Sequence, residues 1–132
     1  MPRLFLDTNV LISATFWEGS SYNLLLKIAD AAASGFTTRD VLQEYRIVLK
    51  RDFALSEEGA DTRIEMLLRI LTVVSPHDKI DMIREDPSDN RILEGALESR
   101  ADFIVSYDEH LLKLESFRGM EVVKPEDALK RL

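Results

Sequence analysis

The sequence predicts an α/β fold with a central parallel sheet of four to five strands flanked by helices. Short apolar or β-branched runs alternate along the chain with longer segments of helical periodicity, and alternation of that kind produces parallel strands joined by crossover helices. The clearest runs, Leu4-Phe5-Leu6 and Phe103-Ile104-Val105, carry no polar residue, as expected of strands buried on both faces. At 132 residues, 45% hydrophobic and 31% charged, the chain has the size and composition of one globular domain spanning residues 1–132.

Each element has a local reason. Arg3 to Leu6 reads as a buried strand that stops at Asp7, and Thr8-Asn9 are turn and cap residues opening a first helix. Ser20 and Ser21 offer caps for a helix from Tyr22 to Ala33, with Leu24, Leu25, Ile28 and Ala32 at helical spacing and Gly35 as its end. Phe36-Thr37-Thr38 is a second strand. Asp40 can cap a helix from Val41 to about Lys50, and another covers Glu57 to Leu71, its start weakened by Gly59. Leu71 to Val74 is β-branched and stops at Ser75-Pro76, a third strand. Asp78 to Arg84 reads as a short helix, and Asp86-Pro87-Ser88-Asp89 as a loop entering the helix Asn90 to Ser99. Phe103 to Ser106 is the fourth strand, Glu109 to Leu114 a short helix and Glu121 to Val123 a fifth strand. Pro125 starts a last helix through Leu129.

Composition excludes several chemistries. With no cysteine, the chain makes no disulfide, thiolate nucleophile or Cys-ligated zinc site. A net charge of -7 argues against holding nucleic acid by bulk electrostatics. No apolar run approaches the roughly 18 residues of a membrane span. The opening Met1-Pro2-Arg3 turns at once into a strand, so no secretory signal is expected and a cytoplasmic location is.

The acids carry the functional signal. In an open α/β sheet, ligands bind beyond the carboxyl ends of the strands, where strand order reverses. Asp7 directly follows the first strand and Asp108 follows the fourth, Asp89 heads the helix leading into the fourth, and Glu44 lies on the helix after the second. Taken singly, Asp7 and Asp108 can be helix N-caps, and Asp89 the acid of a capping box with Asp86 as N-cap and Pro87 at the first helical position. Glu44 falls at the margin of the apolar face made by Val41, Leu42, Tyr45, Val48 and Leu49, and its i+4 neighbour is Val48, so no helical ion pair explains it. Taken together, four oxygen ligands suit a hard cation, Mg²⁺ or Mn²⁺, better than zinc, the two histidines His77 and His110 standing in loop-like places. Such a cation explains why acids gather at strand ends in an acidic protein. It fits phosphodiester hydrolysis, in which the cation activates water and stabilises charge on the attacking and leaving oxygens.

The run Leu4 to Ile12 around Asp7-Thr8-Asn9, the mid-chain Glu44, the segment Asp86-Pro87-Ser88-Asp89-Asn90 and Ile104-Val105-Ser106-Tyr107-Asp108 occur in the order seen in PIN-domain ribonucleases, which the chain resembles over nearly its whole length. The resemblance implies that Asp7, Glu44, Asp89 and Asp108 hold Mg²⁺ or Mn²⁺, with Asn9 and Ser106 supporting them through hydrogen bonds. It implies metal-dependent cleavage of single-stranded RNA, and a likeness to the VapC-type toxin of a toxin–antitoxin pair: an antitoxin partner and a homodimer. Asp86 is either a fifth, outer acid or an N-cap. Ser88 stands where close relatives often carry an acid, and Tyr107 where a smaller or basic residue is common.

Arg46 and Lys50, one helical turn apart with Arg39 and Arg51 nearby, read either as a phosphate-binding patch or as a solvated helix face. Phe16 and Trp17, in the loop after the first helix, read as base-stacking residues or as a buried or dimer contact. A phosphotransferase built on an Asp after its first strand would want a second Asp two residues on, and Asn9 stands there. The rival from another class is a PIN fold that binds RNA or protein without cutting.

Overall fold

A computed structural model describes residues 1–83 and 86–132. The strands are β1 (Arg3–Leu6), β2 (Ser34–Thr37), β3 (Leu71–Val73), β4 (Phe103–Val105), β5 (Ser116–Phe117) and β6 (Met120–Val123). They form one six-stranded sheet in the order β3-β2-β1-β4-β6-β5, parallel except for β5. The sheet therefore exceeds the expected five strands by a two-residue edge strand, paired antiparallel with β6 through the turn at Arg118 and Gly119, both at positive φ. The helices are α1 (Thr8–Phe16), α2 (Ser20–Ala29), α3 (Arg39–Phe53), α4 (Glu57–Leu68), α5 (Pro87–Glu98), α6 (Glu109–Leu112) and α7 (Pro125–Lys130). No helix among the described residues is long and apolar enough to cross a membrane.

β1 and β4 are the central pair, joined in register as Leu4 with Phe103, Phe5 with Ile104 and Leu6 with Val105. Leu4, Phe5, Leu6, Ile104 and Val105 are all fully buried, as expected of strands covered on both faces. From β1 the chain winds outward through β2 and β3, then returns through α5 to place β4 on the other flank of β1. The strand order thus reverses between β1 and β4, which opens a crevice at their carboxyl ends. Close packing fixes that crevice. A Cβ at Gly95 would stand 2.6 Å from Phe5 Cε2 and 2.8 Å from Thr38 Cγ2, so the absence of a side chain lets α5 lie directly on β1.

Several expected boundaries shift for identifiable reasons. α2 ends at Ala29, and Ala31 takes the left-handed turn at φ 62°; Gly35 lies inside β2, where a Cβ would press on Leu71 and Ile28. Thr38, not Asp40, caps α3, its hydroxyl accepting from Val41 N at 3.2 Å, and the helix runs on to Phe53. Ser56 caps α4 through Gly59 N, and Leu71 belongs to β3. Pro87 to Asp89 form the first turn of α5 and not a loop, with Asp86 as N-cap. Phe16 closes α1, stacked on Phe53 at 3.9 Å between ring centroids, with Trp17 against both rings.

The helix expected over Asp78–Arg84 is absent from the described part, Asp78 to Ile83; Arg84 lies outside the described residues. Side chains of α5 take up its backbone groups instead. Asn90 Oδ1 accepts from Met82 N and Ile83 N, Asn90 Nδ2 donates to Ile83 O, Glu94 accepts from Ile80 N and Arg91 donates to Ile80 O. Ile80 and Ile83 are buried beneath this strap. It leads the chain toward Asp86 and the mouth of the crevice.

Candidate metal centre

The carboxyl ends of β1 and β4 carry the first acids. Asp7 follows β1, is 6% exposed, and caps α1 with Oδ1 accepting from Thr8 N at 2.7 Å. Its Oδ2 accepts from Ser106 Oγ at 2.7 Å and from Asn9 Nδ2 at 3.2 Å. Ser106, fully buried just after β4, accepts in turn from Asp108 N at 2.8 Å, and Asn9 Oδ1 accepts from Tyr107 N at 3.2 Å. These bonds tie the ends of the two strands together and fix Asp7 relative to Asp108. Capping and site geometry are therefore compatible: Asp108 also caps α6, its Oδ1 accepting from His110 N at 2.8 Å.

The other acids arrive from the flanking helices. Asp89, in the first turn of α5, is 4% exposed, and its Oδ2 has no hydrogen-bond partner among the described residues. Glu44 comes from α3, with Oε2 accepting from Thr8 Oγ1 at 2.8 Å. It is exposed at the mouth, not half-buried at an apolar margin: α3 turns its first apolar face onto α1, and the Thr8 hydroxyl gives Glu44 the partner its own helix lacks. Asp86 accepts from Ser88 N and Ser88 Oγ and lies at the same opening, so it is both cap and rim. All five acids, with Thr8, Asn9 and the apolar side chains Ile12, Val48 and Ile92, line one cavity of about 230 Å³, and among the described residues no Lys or Arg does.

Gathering carboxylates without a cation shifts their titration. Burial pushes the Asp7 carboxyl up to about 6; hydrogen bonds from Ser106 and Thr8 oppose this, and the charges of Glu44 and Asp108 add to it. Asp89 is pushed up to about 7, again first by burial, then by the charges of Asp108, Asp86 and Asp7, and last by a hydrogen bond that its protonated form makes to Asp108. Elevated carboxyls grouped in a cleft mark a place built for a positive charge.

One compact group of donors includes His110, which its sequence context does not mark as a ligand. One ligand atom from each of Asp86, Asp89, Asp108 and His110 lies within 4.8 Å of the others, an arrangement able to hold a metal ion. His110 looked no different from His77 in the sequence; only the offset of two from Asp108 hinted at it. His77 sits at the surface and pairs with Glu98 at 2.8 Å.

The basic and aromatic candidates are elsewhere. Arg46 pairs with Glu57 at 3.1 Å and with Asp61 at 2.7 Å, and Lys50 pairs with Glu57, so both cations bridge α3 to α4 and neither lines the cavity. Arg51 pairs with its neighbour Asp52, and Phe16 and Trp17 belong to the stack with Phe53. The Tyr107 hydroxyl reaches Ser21 Oγ at 3.2 Å.

A family model described as PIN domain matches residues 3–110. Among solved structures, the chain is similar to VapBC2 from Rickettsia felis, bound to a DNA fragment from its promoter, with a TM-score of 0.65 and 14% identity over 91% of this chain and 96% of that one. It is also similar to PAE2754 from Pyrobaculum aerophilum, with a TM-score of 0.65 and 16% identity over 98% of this chain and 88% of that one. At these identities the likeness is one of fold. No curated protein matches the chain.

Proposed function

The chain belongs to the PIN-domain family, and from that premise we propose that it is a Mg²⁺- or Mn²⁺-dependent ribonuclease that hydrolyses phosphodiester bonds in single-stranded RNA, with Asp7, Glu44, Asp89 and Asp108 as its metal-holding acids. The observation that carries this reading is the convergence of those acids, from four separate elements, on one cavity that no Lys or Arg lines among the described residues. The buried, unpartnered Asp89 Oδ2 fits a cation better than it fits a structural role. When bound, the cation would supply activation of water and neutralisation of charge at the reacting phosphate.

The chain's own residues supply placement. Ser106 and Asn9 hold Asp7 Oδ2 by two donated hydrogen bonds, and Ser106 also fixes the Asp108 backbone, so Asp7 and Asp108 are preset relative to each other. Thr8 orients Glu44 over the mouth. Substrate phosphate would be held in the cavity through the cation. Arg46 and Lys50 would contact flanking phosphates only by giving up Glu57 and Asp61, a weak and salt-sensitive contribution.

We carry the reading further to the toxin half of a toxin–antitoxin pair acting in the cytoplasm as a homodimer. The fold likeness to VapBC2 supports the antitoxin. So does an apolar depression of about 300 Å³ lined in part by Leu25, Leu26, Met66, Leu67 and Ile70, a surface that a partner would cover. Cleavage of a fluorescent single-stranded RNA by purified protein, in Mn²⁺ or in EDTA, beside an Asp7→Asn control, tests the nuclease assignment. Metal-dependent cutting lost in the variant is expected; a variant that cuts as fast as the parent would sink it.

A further inference from the structure

We propose that His110 is a direct nitrogen ligand of the cation, and that it biases the site toward Mn²⁺ and its heavier first-row neighbours over Mg²⁺. The inference rests on the metal-site reading above and goes beyond it by adding a ligand and a selectivity. His110 Nδ1 stands 3.7 Å from Asp108 Oδ1 and 3.9 Å from Asp89 Oδ2. Both separations exceed a hydrogen bond, so the imidazole satisfies neither oxygen directly. They lie between the two donor spacings of a six-coordinate shell, so a shift of the ring of under about an ångström brings Nδ1 into the shell of an ion shared with these oxygens. With bonds of about 2.1 Å, donors in a six-coordinate shell stand about 3 Å apart when adjacent and about 4.2 Å apart when opposite.

A second, independent observation comes from Asp89. Its carboxylate is nine-tenths buried and Oδ2, the atom that faces His110, has no hydrogen-bond partner among the described residues. Buried polar atoms are ordinarily paired, and the exceptions call for an unseen partner. An ion between Asp89 Oδ2 and His110 Nδ1 would supply it. The local chain holds the imidazole in place for this. Asp108 caps α6 through the His110 N–H, and the next residue, Leu111, is fully buried, which pins the first turn of α6 beside the acids.

The donor type sets the selectivity. Mg²⁺ prefers oxygen ligands and gives up its waters reluctantly, whereas imidazole nitrogen suits Mn²⁺ and the later first-row ions progressively better. An all-carboxylate pocket would discriminate little between Mg²⁺ and Mn²⁺; one with His110 in the shell would not treat them alike.

Pulsed EPR of the Mn²⁺-loaded full chain reads the ligand directly. A ¹⁴N coupling is expected in the parent and in His77→Gln, whose site is distant, and is expected to disappear in His110→Gln. Calorimetric titration of the same proteins should show Mn²⁺ binding weakened about tenfold or more by His110→Gln, and Mg²⁺ binding changed by less than about threefold. Mn²⁺ bound without nitrogen coupling, or both ions weakened by the same factor, would overturn the role of His110 while leaving the metal site standing. Failure of the parent to bind either ion would overturn both.

Discussion

Replacing Asp89 by asparagine is expected to stabilise the metal-free protein above neutral pH and to remove its response to Mn²⁺. The Asp89 carboxyl ordinarily titrates at 3.8 and is held at about 7 in the fold. Between those values the native state keeps a proton that the unfolded chain has released, so stability falls as pH rises through the window, and the deficit is complete above about 7. One pKa unit corresponds to about 1.4 kcal/mol. The shift from 3.8 to about 7 therefore sets a ceiling of about 4 kcal/mol on what ionised Asp89 takes from the metal-free fold at pH 8.5. An amide in its place has no charge to desolvate and can donate to the neighbouring Asp108 carboxylate, although its own burial offsets part of the gain. A net gain of about 2–3 kcal/mol follows, roughly 7–11 °C in melting temperature for a chain of this size. The assay is thermal or urea unfolding of parent and Asp89→Asn in EDTA at pH 5 and pH 8.5, repeated with Mn²⁺. The advantage of the variant should be largest at pH 8.5 in EDTA, shrink at pH 5 and reverse when Mn²⁺ stabilises the parent alone. A variant less stable than the parent at pH 8.5 in EDTA would show that the ionised Asp89 carboxylate does not burden the metal-free fold.

Three further substitutions probe the scaffold of the site. Ser106→Ala removes the donor to Asp7 and the acceptor of Asp108 N; it should cost about 1–2 kcal/mol in urea unfolding and weaken Mn²⁺ binding by about tenfold or more in calorimetry. Gly95→Ala drives a methyl group into the buried Phe5 ring and should cost about 2–3 kcal/mol, since neither α5 nor β1 can retreat without opening the core. Asn90→Ala leaves Met82 N, Ile83 N and Ile83 O without their partners; a loss of about 2–3 kcal/mol is expected, with faster hydrogen exchange at the Ile83 amide, and unchanged exchange there would show that the strap is held by other means.

The sheet and the placement of Asp7 and Asp108 at its carboxyl edge could be read from sequence because each rests on short-range cues. Leu4 to Leu6 and Phe103 to Val105 are uninterrupted apolar runs, Asp7 directly follows the first and Asp108 follows the second after Ser106 and Tyr107, so topology alone brings both acids to one edge. What escaped depends on tertiary partners. The spacing of Ile80 and Ile83 imitates a helix, yet their backbone is bonded by Asn90, Arg91 and Glu94 of a different element, which no local periodicity reveals. Ser116–Phe117 is too short to show alternation and becomes a strand only by pairing with β6. Helical phase placed Glu44 at the edge of the apolar face of α3, but its exposure and its Thr8 partner are set by how α3 lies on α1. Arg46 and Lys50 looked available for phosphate because their partners on α4 are 7 to 15 residues away, beyond helical reach. His110 and His77 were equivalent as letters; the fold sends one to the acids and the other to Glu98.

A divalent cation held by Asp7, Glu44, Asp89 and Asp108 would occupy one defined place in the cavity they line. Crystals of the protein soaked in Mn²⁺ and measured for anomalous scattering would locate it. A strong peak inside the cavity these acids line, absent from crystals of Asp89→Asn grown and soaked identically, is the predicted result. A well-diffracting parent crystal with no peak there, or with its only peak at another place, would show that these acids do not hold the cation.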